Sequence, residues 1–313
     1  MHAMPKETLM KDPDPSFQPT PGLAEQVQPG LRRLLAPNPS PMTFRGTNTY
    51  LLGDRDVAVI DPGPNDPAHM KAILASLRPG QRISHILVTH AHLDHSPLAR
   101  PLSDATGAPV LAFGDALSGR SAVMQNLAAQ GFIGGGEGVD VTFEPDQCLA
   151  DGAEVEGDGW RLTALHTPGH FGNHLCFALG NTLLSGDIVM GWASSLVSPP
   201  DGDLTDFMAS CRRLSQTPWR RLLPGHGAAV ESAADRIDWL LRHRETREGA
   251  ILKALEAGPD TPRGLAARIY KETPSNLLPA AERNVLAHLI DLNGKNLISP
   301  VGSLKPDGQF RRL

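Results

Sequence analysis

The chain has 313 residues, more than one core ordinarily holds, so a large domain with a smaller appended module is the expectation. With 40% hydrophobic and 20% charged residues its composition is ordinary for a soluble globular protein, and 31 glycines and 28 prolines beside 5% aromatics point away from a helical bundle toward a loop-rich enzyme. A formal net charge of −5 excludes a global pull toward nucleic acid, though not a local basic groove.

Residues 1–26 carry Pro5, Pro13, Pro15, Pro19 and Pro21, which predicts an extended arm, flexible or draped on the surface. The arm holds no apolar run of signal-peptide type, and no stretch approaches membrane-spanning length, so a cytoplasmic protein with no membrane contact is expected. Cys148, Cys176 and Cys211 lack metal-type spacing and read as free thiols of a reducing compartment.

From residue 27 the chain alternates strand and helix patterns. "TNTYLLGDRDVAVIDPG" predicts strands at Thr47–Leu52 and Val57–Ile60 about a turn, and "AHMKAILASLR" a helix with Met70, Ile73, Leu74 and Leu77 on one face. "RISHILVTH" is a short buried strand. "APVLAFG", "WRLTALHTPG" and "RRLLPGHG" are further strands, and "HLCFALGNTLLSGD" is a hairpin turning at Gly180-Asn181. "DLTDFMASCRRLSQ" is an amphipathic helix. Together these predict two sheets covered by helices. "IVMGWASSLVSPPDGD" lies between, and its Trp192, Ser194 and Ser195 suggest a substrate-pocket wall as readily as a surface connection. After Val230 come three helical stretches, the second capped by Thr261-Pro262, and a terminal hairpin about Asp307-Gly308, which is the outline of a winged helix.

The chemistry concentrates at four predicted strand ends. These are His90-Ala91-His92-Leu93-Asp94-His95, Thr167-Pro168-Gly169-His170, Ser185-Gly186-Asp187 and Pro224-Gly225-His226-Gly227. Neutral imidazoles and carboxylates suit zinc and other borderline metals, and one ion needs three or four of them. Seven are present, enough for two ions if Asp187 bridges. Ser96-Pro97 suits the N-cap and first position of a helix directly behind this cluster, with Pro101 limiting its regularity. His85 reads as scaffold, His69 and His243 as exposed helix residues, and His288 as a helix-packing residue.

These motifs, spread over residues of roughly 30–230, resemble the metallo-β-lactamase superfamily of dinuclear hydrolases. The resemblance implies an αββα sandwich in which His90, His92 and His170 hold one divalent metal ion. Asp94, His95 and His226 would hold a second, and Asp187 would bridge. Zinc is the first expectation, with iron or manganese as alternatives. It further implies attack by a metal-bridging hydroxide on a small ester, thioester or lactone, with Asp94 as the catalytic carboxylate orienting it. Asp61, His166 and His174 are candidates for supporting the ligands, because ligating histidines need oriented partners. Glycine follows the last histidine of the first motif in many relatives; here Ser96 does.

The tail from 235 onward resembles the winged-helix extension of the β-lactamase-like protein 2 group, which includes an endoribonuclease. The expected division is therefore an arm at 1–26, a catalytic domain at 27–230 and a winged-helix domain at 231–313. RNA cleavage by an endoribonuclease or phosphodiesterase with the same metal site stands as the alternative function. From Glu231 onward thirteen Lys and Arg face eleven Asp and Glu, a net +2. That is too balanced for a dedicated nucleic-acid reader and favours a packing or lid role. Oligomeric state is not legible.

Overall fold

A computed structural model describes residues 14–135 and 138–313, so the first half of the proline-rich arm lies outside the described residues. Its second half lies on the body: Phe17 is buried, stacks on Phe44 and accepts a hydrogen bond at its carbonyl from Arg45 Nε at 3.0 Å.

Seven strands form a sheet in chain order: β1 (Glu25–Gln28), β2 (Leu31–Leu35), β3 (Asn48–Leu52), β4 (Asp56–Ile60), β5 (Arg82–Leu87), β6 (Val110–Ala112) and β7 (Gln147–Cys148). β1 to β4 are antiparallel, and β4 to β7 are parallel. A second sheet holds β8 (Glu154–Gly157), β9 (Trp160–His166), β10 (Leu175–Leu179), β11 (Thr182–Gly186) and β12 (Arg221–Pro224), in the order β12-β11-β10-β9-β8. The predicted hairpin at Gly180-Asn181 joins β10 to β11, with Gly180 at φ 57°.

Alternation along the strands sets the layers. Val57 and Val59 of β4 enter an outer cluster with Ile73 of α1 (Pro67–Ala75) and Leu102 of α2 (Ala99–Thr106). Ala58 and Ile60 point the other way, into a cluster between the sheets with Leu162, Phe177 and Leu184. The far face of the second sheet, with Leu183 and Leu222, is covered by Phe207 and Leu214 of α4 (Leu204–Ser215) and by Ile237 and Leu240 of α5 (Ala233–Ala254). Helix, sheet, sheet, helix is the αββα sandwich.

The C-terminal module has its own core. Ile251 of α5, Leu265 of α6 (Pro262–Ile269), and Val285 and Leu289 of α7 (Leu278–Gly294) pack with Ile298 and Phe310 of the hairpin β13 (Ile298–Pro300) and β14 (Phe310–Arg312). Thr261 caps α6 by accepting from Gly264 N at 3.1 Å. The hairpin is wider than a two-residue turn at Asp307-Gly308: Pro300 faces Phe310, and the reversal runs from Lys305 to Gly308. Met124 and Leu127 of α3 (Ala122–Ala129), a helix the sequence pattern did not flag, join this core and tie the module to the sandwich.

Arg244 of α5 is a second tie. It is buried, and donates to the carbonyls of Ser194 (2.8 Å) and Ser195 (2.6 Å) and to Asn284 Oδ1 (2.9 Å). Burial pulls its guanidinium down to about 10. Arg244→Ala removes this donor from the Ser194 and Ser195 carbonyls and leaves a void, so a loss of about 3 kcal/mol in urea unfolding is expected. Faster proteolysis at residues 194–197 should accompany it.

Three further expectations are corrected. His243 is partly buried and stacks on Trp239. Ser96 does not cap a helix: α2 begins at Ala99, and Ser96 Oγ donates to Asp140 Oδ2 at 2.9 Å, so the proline-containing stretch forms a turn before the helix. His69 is not exposed. It is 1% accessible, and because the Thr49 hydroxyl donates to the Asp61 carbonyl (2.7 Å), His69 Nε2 must donate to Thr49 Oγ1 (2.9 Å). Burial pushes its imidazole down to about 4. A histidine kept neutral in the fold costs stability as pH falls, because the unfolded chain takes the proton first. Wild-type protein should therefore lose urea stability between pH 6.5 and 4 by roughly 1 kcal/mol per pH unit more than His69→Leu.

Candidate metal centre

Five strand ends open on one edge of the sandwich. β4 ends at Asp61, β5 leads through Thr89 into His90–His95, β9 into Thr167–His170, β11 into Asp187, and β12 into His226. All seven predicted ligands meet there and all are buried, His92 and His170 most accessible at 7%. Gly225 permits the approach, since a Cβ there would stand 2.4 Å from Asp187 Oδ1.

The ring nitrogens reveal the tautomers. Thr89 Oγ1 donates to Asp61 Oδ2 (2.8 Å), so His90 Nδ1, 2.9 Å from that hydroxyl, must be the donor. His170 Nδ1 donates to the Leu196 carbonyl (2.7 Å), His226 Nδ1 to the Gly46 carbonyl (3.1 Å), and His95 Nδ1 to Asp61 Oδ2 (3.0 Å). With each Nδ1 committed, the Nε2 lone pairs of these four rings face inward.

Inward-facing atoms fall into groups. His90 Nε2 and His170 Nε2 stand 2.8 and 3.1 Å from His92 Nδ1. His226 Nε2 is 3.1 Å from Asp94 Oδ2 and 3.3 Å from His95 Nε2. Asp187 Oδ2 lies between them, 3.2 Å from His226 Nε2 and 3.7 Å from both His95 Nε2 and His170 Nε2. Tetrahedral zinc with ligands at about 2.1 Å separates neighbouring ligand atoms by roughly 3.3 Å. The observed spacings are of that size, and a proton on His92 Nδ1 can serve only one of the two lone pairs that face it, whereas a cation can serve all three nitrogens. Asp94 Oδ1 and Asp187 Oδ1 are buried without partners, as ligand oxygens are. The donor set therefore fits divalent metal ions, in the triplets His90/His92/His170, His90/His95/Asp187 and Asp94/His95/His226.

Electrostatics agree. Burial disfavours a charged His226, yet Asp187 and Asp94 outweigh it and push its imidazole up to about 10. His95 is likewise raised, its burial overcome by Asp94, Asp187 and Asp61. Burial and neighbouring histidines hold His90 well below its ordinary range. One side of the site demands positive charge, and the other supplies neutral imidazole.

The supporting candidates divide. Asp61, held at φ 51°, orients His95 and accepts from Thr89 N at 2.7 Å. His174 Nε2 accepts from the Asp187 backbone N–H at 3.1 Å, with its Nδ1 on Thr167 Oγ1 at 3.0 Å. His166 does not reach the site: its ring stacks on Phe113 at 3.7 Å, and its Nε2 donates to the Gly172 carbonyl. It ends an edge-side stretch of β9 before the chain turns inward. Trp192 packs beside Gly227 and stacks on Phe44, and Ser195 Oγ donates to the Ile188 carbonyl. Ser194, Ser195 and Trp192 line one cavity. Thr89 and the Leu196 and Gly46 carbonyls escaped the sequence reading. Thr89 adjoins the first motif and could have been flagged, whereas a carbonyl carries no side-chain signal.

Asp61→Asn keeps the shape but weakens the acceptor for His95. A 10- to 100-fold loss of metal affinity in competition with a chromophoric chelator is expected, with little change in the fold.

The profile of the metallo-beta-lactamase superfamily matches residues 42–226, and that of the beta-lactamase associated winged helix domain matches 261–305. The beta-lactamase-like protein 2 homolog of Drosophila melanogaster is 31% identical over 85% of this chain and 89% of that protein. An atrochrysone carboxyl ACP thioesterase of Cryptosporiopsis sp. is 29% identical over 77% of this chain and 68% of that protein. Among solved structures, a metallo-beta-lactamase family protein of Thermus thermophilus superposes with TM-score 0.72 at 26% identity, covering 92% of this chain and all of that one. A beta-lactamase domain protein of Burkholderia ambifaria superposes with TM-score 0.77 at 22% identity, covering 96% of each.

Proposed function

The chain belongs to the metallo-beta-lactamase superfamily, and on that premise we propose that it is a dinuclear metal-dependent hydrolase of a small ester, thioester or lactone. The observation that carries the proposal is the inward aim of five imidazole nitrogens around Asp94 and Asp187. His90, His92 and His170 hold one ion, Asp94, His95 and His226 a second, and Asp187 lies between them. Zinc suits this donor set, and iron or manganese are the alternatives. When bound, two divalent ions supply Lewis acidity, lowering the pKa of a water and stabilising the charge that develops at the reacting centre.

The chain's own groups do the rest. Asp94 Oδ1, buried and unpartnered, is positioned to orient the attacking water and accept its proton. Asp61, Leu196 and Gly46 fix the imidazole tautomers, so the ligands need no reorganisation. Trp192, Ser194 and Ser195 form a substrate wall. The division into an arm to residue 26, a catalytic unit at 27–230 and a winged-helix unit from 231 belongs to this proposal.

Acyl over phosphodiester substrates is supported by the thioesterase relative and by how the arginines near the opening are engaged. Arg236 donates to the carbonyls of Met190 and Ala193, Arg120 pairs with Asp201 at 2.5 Å, and Arg283 donates to the Ile133 carbonyl. A polyanionic backbone needs cations that are not already committed. The test is turnover by metal-loaded protein on thioesters and lactones, set against single-stranded RNA and bis-p-nitrophenyl phosphate, with His92→Ala as control. Cleavage of the phosphodiesters alone would overturn the acyl assignment.

A further inference from the structure

Where the winged-helix module meets the sandwich there is a cavity of about 220 Å³. One wall is the loop after β11 together with the segment before β3, presenting Met42, Met190, Trp192 and Leu196. The other belongs to the module, with Tyr270, Leu277, Ala280 and Ala281. Much of its polar lining is already occupied. Asn284 Oδ1 accepts from Arg244 and from Val197 N (3.1 Å), and Ser195 Oγ is spent on the Ile188 carbonyl.

The cavity adjoins the candidate metal centre through its wall. Leu196, in its wall, gives its carbonyl to His170 Nδ1, and Trp192 lies against Gly227, the residue after His226. A ligand reaching from the His/Asp cluster into this space leaves water for an apolar surround. At about 30 Å³ for a group of water's size, the volume takes roughly seven carbons.

We propose that this cavity binds the unbranched or aryl acyl arm of a medium-length thioester, so that the winged-helix module sets acyl-chain length instead of reading nucleic acid. The inference rests on the acyl-hydrolase reading above. With the arm in the cavity, the carbonyl carbon lies at the cluster. Water adds there and the C–S bond breaks, giving one carboxylic acid and one thiol, the sulfur taking the proton that water gives up.

The experiment uses metal-loaded full-length protein and N-acetylcysteamine thioesters of acetate, hexanoate, octanoate and dodecanoate. Each methylene removed from water is worth roughly fourfold in kcat/KM. An increase of about 100-fold or more from acetyl to octanoyl is therefore expected, with a fall at dodecanoyl. Ala280→Trp, which fills the cavity, should lower octanoyl kcat/KM at least tenfold and leave acetyl within about twofold. Leu277→Ala, which enlarges it, should move the optimum toward longer chains, and it tests the cavity even where the tryptophan variant misfolds. In parallel, octanoate should quench Trp192 fluorescence while acetate does not, with Trp192→Phe as control.

Thioester turnover with a flat chain-length profile, or equal losses on acetyl and octanoyl in Ala280→Trp, overturns the cavity assignment and leaves the hydrolase standing. Octanoate binding without turnover of any acyl substrate supports the cavity and overturns the hydrolase.

Discussion

Asp187→Ala is expected to lower kcat/KM on the best acyl substrate by about 1,000-fold or more and to reduce bound metal from two ions per chain to one or fewer. The reason is placement. Asp187 Oδ2 lies 3.2 Å from His226 Nε2 and 3.7 Å from both His95 Nε2 and His170 Nε2, so it reaches ligands of both groups. A folding defect would confound the result, but a paired variant separates the two. In metal-free protein Asp187 is also the carboxylate that raises His226, so its loss should cost stability there, and Asp187→Asn, which keeps the shape, is the paired variant. Loss of activity and of bound metal in both variants, each still folded by far-UV circular dichroism, is the expected result. Activity within about tenfold of wild type would remove Asp187 from the bridging position.

Chelation should have the largest effect on stability. On the proposed function, a cation among the clustered ring nitrogens and the two unpartnered carboxylate oxygens satisfies them together. Each site occupied at about 1,000 times its Kd contributes roughly 4 kcal/mol. Each kcal/mol moves the melting temperature of a domain this size by about 2–4 °C. Stripping both ions should therefore lower it by roughly 15 °C or more, restored by adding metal back. Asp187→Ala should show a much smaller drop, since it begins with fewer ions.

The sandwich and its site were legible in the sequence because both leave local signatures. Val57 and Val59 alternate with Ala58 and Ile60, which is enough to predict a strand buried on both faces. His90, His92, Asp94 and His95 fall within six residues at a strand end, a density that chance rarely produces. What the sequence concealed depends on long-range partners. His69 sits on a short helix with the spacing of a solvent-facing residue, and only the approach of Thr49 across the sheet buries it. His166 and His174 flank the same motif, yet the strand delivers only His174 beneath Asp187. Ser96-Pro97 has the chemistry of a helix start, but Asp140, brought in from a distant loop, takes the serine hydroxyl. The joint between α5 and the pocket loop was equally hidden, because Arg244 reads as one charge among many until its three acceptors converge.

Ser96 is engaged from a distant loop. Its hydroxyl holds Asp140 beside the first motif, a contact glycine at that position cannot make. The His95 ring is held by Asp61 independently of Ser96, whose hydroxyl also lies 3.2 Å from the His92 carbonyl.

The most direct test of the account is metal content of wild-type protein, measured by plasma mass spectrometry after equilibration with zinc, iron or manganese and gel filtration. The account predicts two ions per chain for at least one of these metals, falling to one or fewer in Asp187→Ala. A single ion in the wild type with all three metals, unchanged in the variant, would contradict the dinuclear site.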